Sequence, residues 1–506
     1  MPTTAQMLTD YPDVLIQVLG ELRGAFLDAA DSRHEAVQLL AAQITDPTSI
    51  QFAYQEIIDM ADSAKDAVDA LLRESGEMTE AQFSREFGAI RQMGPAKLER
   101  ESPWLYPESV AEILYYYGLL GRGFKGLGRE ANAIVYIPSD VMPWLPQPQN
   151  TQSENGLPVT PVPPPPAGRT IPADTSFLAD MGTLLGFIHT DQLHIMHDGP
   201  NADDIERLVE RLQFPFTSDD ADLNTRLALM LHLANRLGWL RRGDDDVIQL
   251  AGNNVRIFLE RSANDQRAAL FAAWRESPEW NDLCRTPGLE CRETGAWQNN
   301  PRQTRESLLH VLGRLPHSTW YSQADLVATV KQVEPDFQRP AGNYDTWYIR
   351  DLSTQEFLKG FEQWDAVEGR LIGFLLQGPL HWLGVFDVAE PSAGDDMQVA
   401  LTQLGARWLG QEVDEPAEPS RRPLQVGEDF TIRLDIAAPL AERFRVERFA
   451  SWTRSYPHYV YQINQRSLKR ALDEGIPPDR ILSFLGQRAR TVPDNVAAAL
   501  TRMATA

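Results

Sequence analysis

Apolar residues alternate with polar ones near the C-terminus, where Leu424, Val426, Phe430, Ile432, Leu434 and Ile436 all fall on even positions. A period of two predicts a strand with one buried face. After Pro439, Leu440, Phe444, Phe449 and Trp452 recur at roughly helical spacing, and Tyr459, Tyr461 and Ile463 then alternate as a second strand. A short helix is predicted from about Ser467 to Glu474, ended by Gly475, since glycine tolerates the left-handed conformation that closes helices. Pro477-Pro478 opens another, because proline suits the first helical turn. Residues 423–506 therefore read as a small mixed cassette.

The N-terminal pattern is helical. Val14, Leu15, Val18, Leu19, Leu22 and Phe26 mark one amphipathic helix, and further helices are predicted over 35–44, 50–60 and 61–74. The last stops at Gly76, Thr79 opens a short helix, and Pro107–Tyr117 forms a third. LLGRGF and AIVYIP then read as two strands around the turn KGLGREAN. Three helices followed by a hairpin is the order of a winged helix. The same grammar returns twice. Leu223–Leu237 is a predicted helix stopped by Gly238, and WLRRGDDDVIQL is a hairpin. Ser322 caps a helix reaching Val333, Phe361–Gln377 forms a longer one, and HWLGVFDV faces MQVALTQL across a turn. A helix, a glycine stop and a hairpin recurring three times indicate structural repetition.

Two polar, proline-bearing stretches separate these regions. Residues 149–170 (QNTQSENGLPVTPVPPPPAGRT, with its proline run) are a predicted linker of extended polyproline character, and residues 412–422 are a second. The expected organisation is an N-terminal helical, winged-helix domain over 1–148, a middle region with winged-helix-like units over 171–411, and the cassette over 423–506. The fold class is α+β, predominantly helical and multi-domain, as 506 residues exceed what one core organises.

Charge alters the functional picture more than composition does. The chain carries a net charge of −24, which opposes general coating of nucleic acid, whose affinity rests on cations. Yet residues 420–506 hold 14 Lys and Arg against 9 Asp and Glu. A basic cassette on an acidic body can meet phosphate or dock on an acidic partner. The two cysteines, Cys284 and Cys291, form no disulfide framework for a chain of this length and are expected as buried, inert thiols, which points to a reducing cytoplasm. The most apolar run, Leu371–Phe386, is interrupted by Gln377, Gly378, Pro379 and His381, so no membrane helix is expected.

The cassette resembles the N-terminal, helicase-associated domain of XPB-type DNA helicases. The resemblance rests on the first strand, the "RFA" helix, the Y-x-Y-Q-I strand and SLKRALDEGIPPDRILSFLGQRA, about the last fifth of the chain. Middle segments such as LFAAWRESPEWNDL and YDTWYIRDL are similar to bacterial helicase-associated proteins that lack a motor. The layout of winged helices followed by such a cassette is also similar to the TFIIH subunit that partners XPB. The resemblance implies a helicase-associated protein that meets DNA or a helicase; it brings no activity.

A motor would require G-x-x-x-x-G-K-[ST], whose amides, lysine and hydroxyl surround a triphosphate. The chain has none. Gly121-Arg-Gly-Phe-Lys-Gly126 matches G-x-G-x-x-G but follows a predicted helix and enters a hairpin, so it reads as the start of a wing rather than a dinucleotide loop. His189, Asp191, His194 and His197 lack a complementary ligand pair, and Cys284 and Cys291 lack zinc-knuckle spacing. Asp365 and Glu368 lie three apart on a predicted helix without evidence of a sugar cleft between them. No Ser-His-Asp pattern appears, so no enzyme activity and no cofactor are expected. The candidate nucleic-acid contacts are Arg122, Lys125 and Arg129 on the first wing, and Arg466, Lys469, Arg470, Arg480, Arg488 and Arg490 on the cassette. The partners this leaves are DNA, or a helicase or other protein docked on the acidic units.

Overall fold

The computed structural model describes residues 1–126, 132–148, 156–166, 168–197, 199–213, 221–243, 246–293, 299–390, 396–418 and 422–505. About 50% of the chain is helical and its strands form several small sheets, an α+β and predominantly helical fold. Two compact units result. One combines Met1–Glu154 with Arg339–Thr346, the other Asn155–Gln338 with Trp347–Ala506. No helix among the described residues is long and apolar enough to cross a membrane.

In the first unit, α1 (Thr4–Thr9), α2 (Asp13–Arg23), α3 (Arg33–Ile44) and α4 (Pro47–Met60) precede α5 (Ala64–Arg73), β1 (Glu77–Thr79), α6 (Glu80–Phe87), α7 (Pro95–Glu101), α8 (Val110–Tyr116), β2 (Gly121–Lys125) and β3 (Asn132–Tyr136). The antiparallel sheet has the order β1-β3-β2. Thr79 ends β1 and caps α6, its side chain accepting the amide of Gln82. Neither β1 nor α7 is legible in the sequence, because a three-residue strand and a seven-residue polar helix carry too few apolar positions to show a period.

The second unit contains β4 (Thr170–Ile171), α9 (Ser176–Asp191), β5 (Leu193–Met196), β6 (Gly199–Pro200), α10 (Ala202–Val209), α11 (Ala221–Arg236), β7 (Leu240–Arg242) and β8 (Val247–Leu250). Then come α12 (Gly252–Leu259), α13 (Ala263–Arg275), β9 (Leu289–Cys291), α14 (Pro301–Leu312), β10 (Trp320–Ser322), α15 (Gln323–Val333) and β11 (Ile349–Asp351). They are followed by α16 (Arg370–Gln377), α17 (Pro379–Trp382), β12 (Phe386–Ala389), β13 (Gln398–Leu401) and α18 (Gln403–Trp408). Instead of one uniform helix over 361–377, the chain forms a 3₁₀ turn (Phe361–Gln363), a π-helical turn (Asp365–Gly369) and then α16.

A single connection order occurs three times: helix, strand, two helices, two strands. It runs through α5, β1, α6, α8, β2, β3, with α7 inserted; through α9, β5, α10, α11, β7, β8, with β6 inserted; and through α14, β10, α15, α16, β12, β13, with β11 and α17 inserted. Each time the first strand pairs with the third and the third with the second. Gly118 and Gly238 follow α8 and α11 with φ of 71° and 68°, and in the third copy Gly384 follows the added helix α17, which takes in His381 and Trp382 of the predicted strand, with φ of 94°. The amide after each glycine then bonds five residues back, Leu119 to Leu114 at 3.0 Å, Trp239 to Ala234 at 2.9 Å and Val385 to Leu380 at 2.8 Å. That pattern satisfies a helix-end carbonyl and needs a left-handed residue, which is why the glycine recurs.

Part of the proline-rich stretch is ordered against the third copy. Val162 donates to the Trp320 carbonyl at 2.8 Å, and β4 extends the sheet as its fourth strand beside β12. The cysteines depart from expectation. Cys284 and Cys291 are disulfide-bonded, closing the turn between α13 and β9, and no described cysteine is a free thiol. The cysteine count therefore gives no support to a reducing compartment. Spacing hid the pair, since only the Pro287-Gly288 turn brings the two together.

The cassette consists of β14 (Gln425–Val426), β15 (Thr431–Leu434), α19 (Leu440–Glu447), β16 (Ser451–Arg454), β17 (Tyr459–Gln462), α20 (Gln465–Asp473), α21 (Pro478–Arg488) and α22 (Asp494–Thr505), with sheet order β14-β15-β17-β16. Ile432 and Leu434 pair across to Tyr461 and Tyr459, and all four enter the core. The predicted helix beyond Pro439 ends at Glu447, and Trp452 belongs instead to strand β16, which bulges between Trp452 and Arg454. Four residues with one apolar side chain do not show a period.

The cassette is seated on α9. Gly182 and Gly186, one turn apart, let α19 approach so closely that a Cβ on Gly186 would lie 1.4 Å from Glu447 Oε2. Arg443 Nη2 donates to Thr183 Oγ1 at 2.9 Å, its guanidinium lies 4.2 Å from the Tyr459 ring, and its Nε is 3.5 Å from Glu447. Tyr461 donates its hydroxyl to Glu447 at 2.7 Å. Beside them Asp180 takes Arg226 at 2.6 Å and the Gln213 amide at 2.9 Å. Burial pushes the Glu447 carboxyl up, with Arg443 opposing it.

Candidate nucleic-acid interface

A winged helix that reads DNA lays its third helix in the major groove. The equivalent helix of the first copy, α8, is packed inside. Ala111, Glu112, Ile113, Leu114 and Tyr116 are buried, and Tyr115 meets Tyr11 with ring centres 5.2 Å apart. Glu112 is 0% exposed and accepts from Arg91 Nε at 2.6 Å, Arg91 Nη2 at 2.7 Å and the amides of Arg91 and Glu108 at 3.0 and 2.9 Å. Desolvation pushes its carboxyl up, but the Arg91 side chain and the two amides outweigh that and hold it below the usual glutamate range.

A depressed pKa stabilises the fold above the unfolded-state value and ceases to do so as the pH falls through the folded one. Stability is therefore expected to fall on acidification below about 4.5, the ordinary glutamate value. Urea unfolding of the protein and of Glu112→Gln at pH 7 and pH 3 checks this. The variant is expected to be weaker at pH 7 and to lose less between the two.

The other copies repeat the theme. In α11, Arg226 is buried against Asp180 and Arg236 pairs with Glu279 at 3.1 Å. In α16, Leu371, Ile372, Leu375 and Leu376 are buried, while Arg370 pairs with Asp351 at 3.0 Å. The first hairpin, read as a wing from the sequence, is also neutralised, since Arg122 pairs with Glu80 at 2.6 Å and Lys125 with Glu77. Arg129 lies outside the described residues. On the second hairpin Arg242 pairs with Asp246, leaving Arg241 exposed. The strands of the third hairpin carry no cation.

Gly121 and Gly123 lie beneath the Tyr136 ring, where a Cβ on Gly121 would come within 2.6 Å of it, so packing accounts for the glycine pattern there. His189 lies in the last turn of α9 with Nε2 3.2 Å from Glu474, whereas His194 lies on β5 with Nδ1 2.8 Å from Asp204. Among the described residues no group of three metal-ligating side chains converges. Asp365 pairs with Lys331 at 2.6 Å, while Trp364 is buried and Trp408 stacks on Phe271.

The cassette divides its predicted cations into two sets. Arg470 is half-buried and donates to the carbonyls of Glu447 and Ala450 at 2.6 and 3.1 Å, closing the end of α19. Arg488 pairs with Glu442 at 3.2 Å. These two hold the cassette together. Arg466 and Lys469, one turn apart on α20, are exposed, as are Arg480 at the start of α21 and Arg490 just beyond it. Sequence reasoning missed further exposed cations, among them Arg433, Arg445 and Arg454. Arg433 was within reach, because it sits between core residues Ile432 and Leu434 and so must face away from them. Comparison with known proteins adds no assignment, as no family model and no curated protein matches the chain.

Proposed function

We propose that this is a non-catalytic, helicase-associated adaptor in which the cassette contacts the phosphate backbone of DNA and the three repeated units serve as its frame. The observation that carries this reading is the set of exposed cassette cations, Arg466, Lys469, Arg480 and Arg490, outside the ion pairs that tie up the wing residues Arg122 and Lys125. Exposed cations that form no ion pair among the described residues can neutralise phosphate and release its counterions. The repeated connection order and the β-hairpin closing each copy support a winged-helix reading of the frame. The burial of α8 supports packing, rather than groove reading, as its role.

The full-length protein is expected to bind a labelled duplex, with affinity falling steeply between about 50 and 200 mM salt. Reversing Arg466, Lys469, Arg480 and Arg490 to glutamate should flatten that dependence by up to about 0.9 in slope per lost phosphate contact. Absence of binding at the lowest salt removes this reading. The alternative is a scaffold that docks a helicase or another protein without touching nucleic acid. It is favoured by the wing cations being held by the protein's own carboxylates.

A further inference from the structure

The cassette sheet turns one face to the core, and the opposite face, exposed at Gln425, Arg433 and Arg454 and buried at Val460, has a composition of its own. Register places Gln425, Arg433, Val460 and Arg454 in one row across all four strands. In the next row Thr431 is opposite Gln462. Directly paired residues on antiparallel strands point to the same side, so these six share the face opposite Ile432, Leu434, Tyr459 and Tyr461. No carboxylate occupies either row. Asp429, in the turn leading into β15, is turned to Thr431, whose hydroxyl and amide it accepts at 2.6 and 3.2 Å. Arg433 and Arg454 are both exposed and stand two strands apart, about 10 Å at ordinary strand spacing, on either side of buried Val460. The bulge in β16 brings Arg454 opposite Val460.

From this geometry we propose that the open face of the cassette sheet binds single-stranded nucleic acid, with Arg433 and Arg454 on successive phosphates or stacked on bases. This rests on the reading of the cassette as the nucleic-acid contact and adds which surface and which form of nucleic acid it takes. Charge complementarity selects the occupant: the two rows carry two arginines, against the single charge of Asp429 at their edge, which bonds Thr431 and attracts Arg433. The form follows from shape. The face of a four-stranded sheet is broad and shallow, which suits a strand whose bases are splayed over it better than it suits a narrow duplex groove. Arginine suits both demands, because its planar fork binds phosphate oxygens and its face stacks on bases.

The test uses the full-length protein, a labelled thymine 15-mer and a labelled duplex of the same length, followed by fluorescence anisotropy across a salt series. Arg433→Glu/Arg454→Glu is expected to weaken single-strand binding roughly tenfold or more and to lower the salt slope by about 1.4, at about 0.7 per contact. Both side chains are exposed, so the melting curve should not move. If it does, Arg433→Gln/Arg454→Gln supplies the same comparison without reversed charge. Single-strand binding that is unchanged in these variants but lost in Arg466→Glu/Lys469→Glu overturns the sheet-face assignment and leaves the adaptor reading standing. Binding of duplex alone also overturns it. Wild-type protein that binds neither nucleic acid overturns both.

Discussion

Gly186→Ala is expected to loosen the cassette from α9, and the sign of the effect is itself informative. Within an isolated helix the substitution stabilises by roughly 0.5–1 kcal/mol, because glycine loses more backbone freedom on folding. Here the added Cβ would fall 1.4 Å from Glu447 Oε2 and 2.4 Å from its Cδ, so the carboxylate must move. Moving it disturbs the Tyr461 hydrogen bond at 2.7 Å and the Arg443 contact at 3.5 Å, all within a buried cluster. Overpacking costs about 1–3 kcal/mol, and a buried hydrogen bond to a charged group adds about 1.5–3. The tertiary loss therefore exceeds the helical gain, and a net destabilisation of about 2–4 kcal/mol is expected. Hydrogen exchange should localise it to α9, α19 and β17, with thermal unfolding giving its size. A variant at least as stable as the parent would mean that α19 does not pack on α9 in this way. Gly182→Ala should cost less, since its Cβ meets a leucine methyl and the tip of Arg443, at 2.7 and 2.9 Å.

Removal of Arg305 is expected to have the largest effect of any single change in the second unit. Arg305 is fully buried on α14 and donates to Asp282 at 2.7 Å and to the carbonyls of Trp274, Ser277 and Trp280. Asp282 also accepts the indole nitrogens of Trp274 and Trp280, at 3.1 and 2.9 Å. One guanidinium thus fastens the chain after α13 to the first helix of the third copy. Arg305→Ala leaves a buried carboxylate and several carbonyls unsatisfied, a loss of about 3–5 kcal/mol. Arg305→Met fills the volume without the charge. Combined with Asp282→Asn it should recover part of the loss, because the costly element is the uncompensated charge rather than the missing pair. A double-mutant cycle by urea unfolding measures this, and additive single effects would exclude coupling through Asp282.

The open sheet face and the seat on α9 differ in how far they could be read from the chain. Period-two alternation around Ile432 places Arg433 outside the core at once, since strand side chains point alternately up and down. Nothing local places Arg454 beside it. That required β16 to pair with β17 and a bulge to shift its register, both decided by residues distant in sequence. Arg470 shows the reverse error: its position in a run of cations suggested exposure, but the neighbouring end of α19 offers carbonyls that capture it.

By itself the sequence determined the helical character of the body, the helix–glycine–hairpin repetition and the alternating strands of the cassette. These depend on spacing between near neighbours and on the conformational freedom of single glycines. Only the tertiary structure decided which cations remain free. Arg122 and Lys125 look identical in kind to Arg466 and Lys469 along the chain, but β1 and α6 bring Glu77 and Glu80 against the first pair. Whether a charge is neutralised depends on which carboxylate the fold sets within a few ångströms, and here Glu80 and Glu77 lie 42 and 48 residues before the cations they meet.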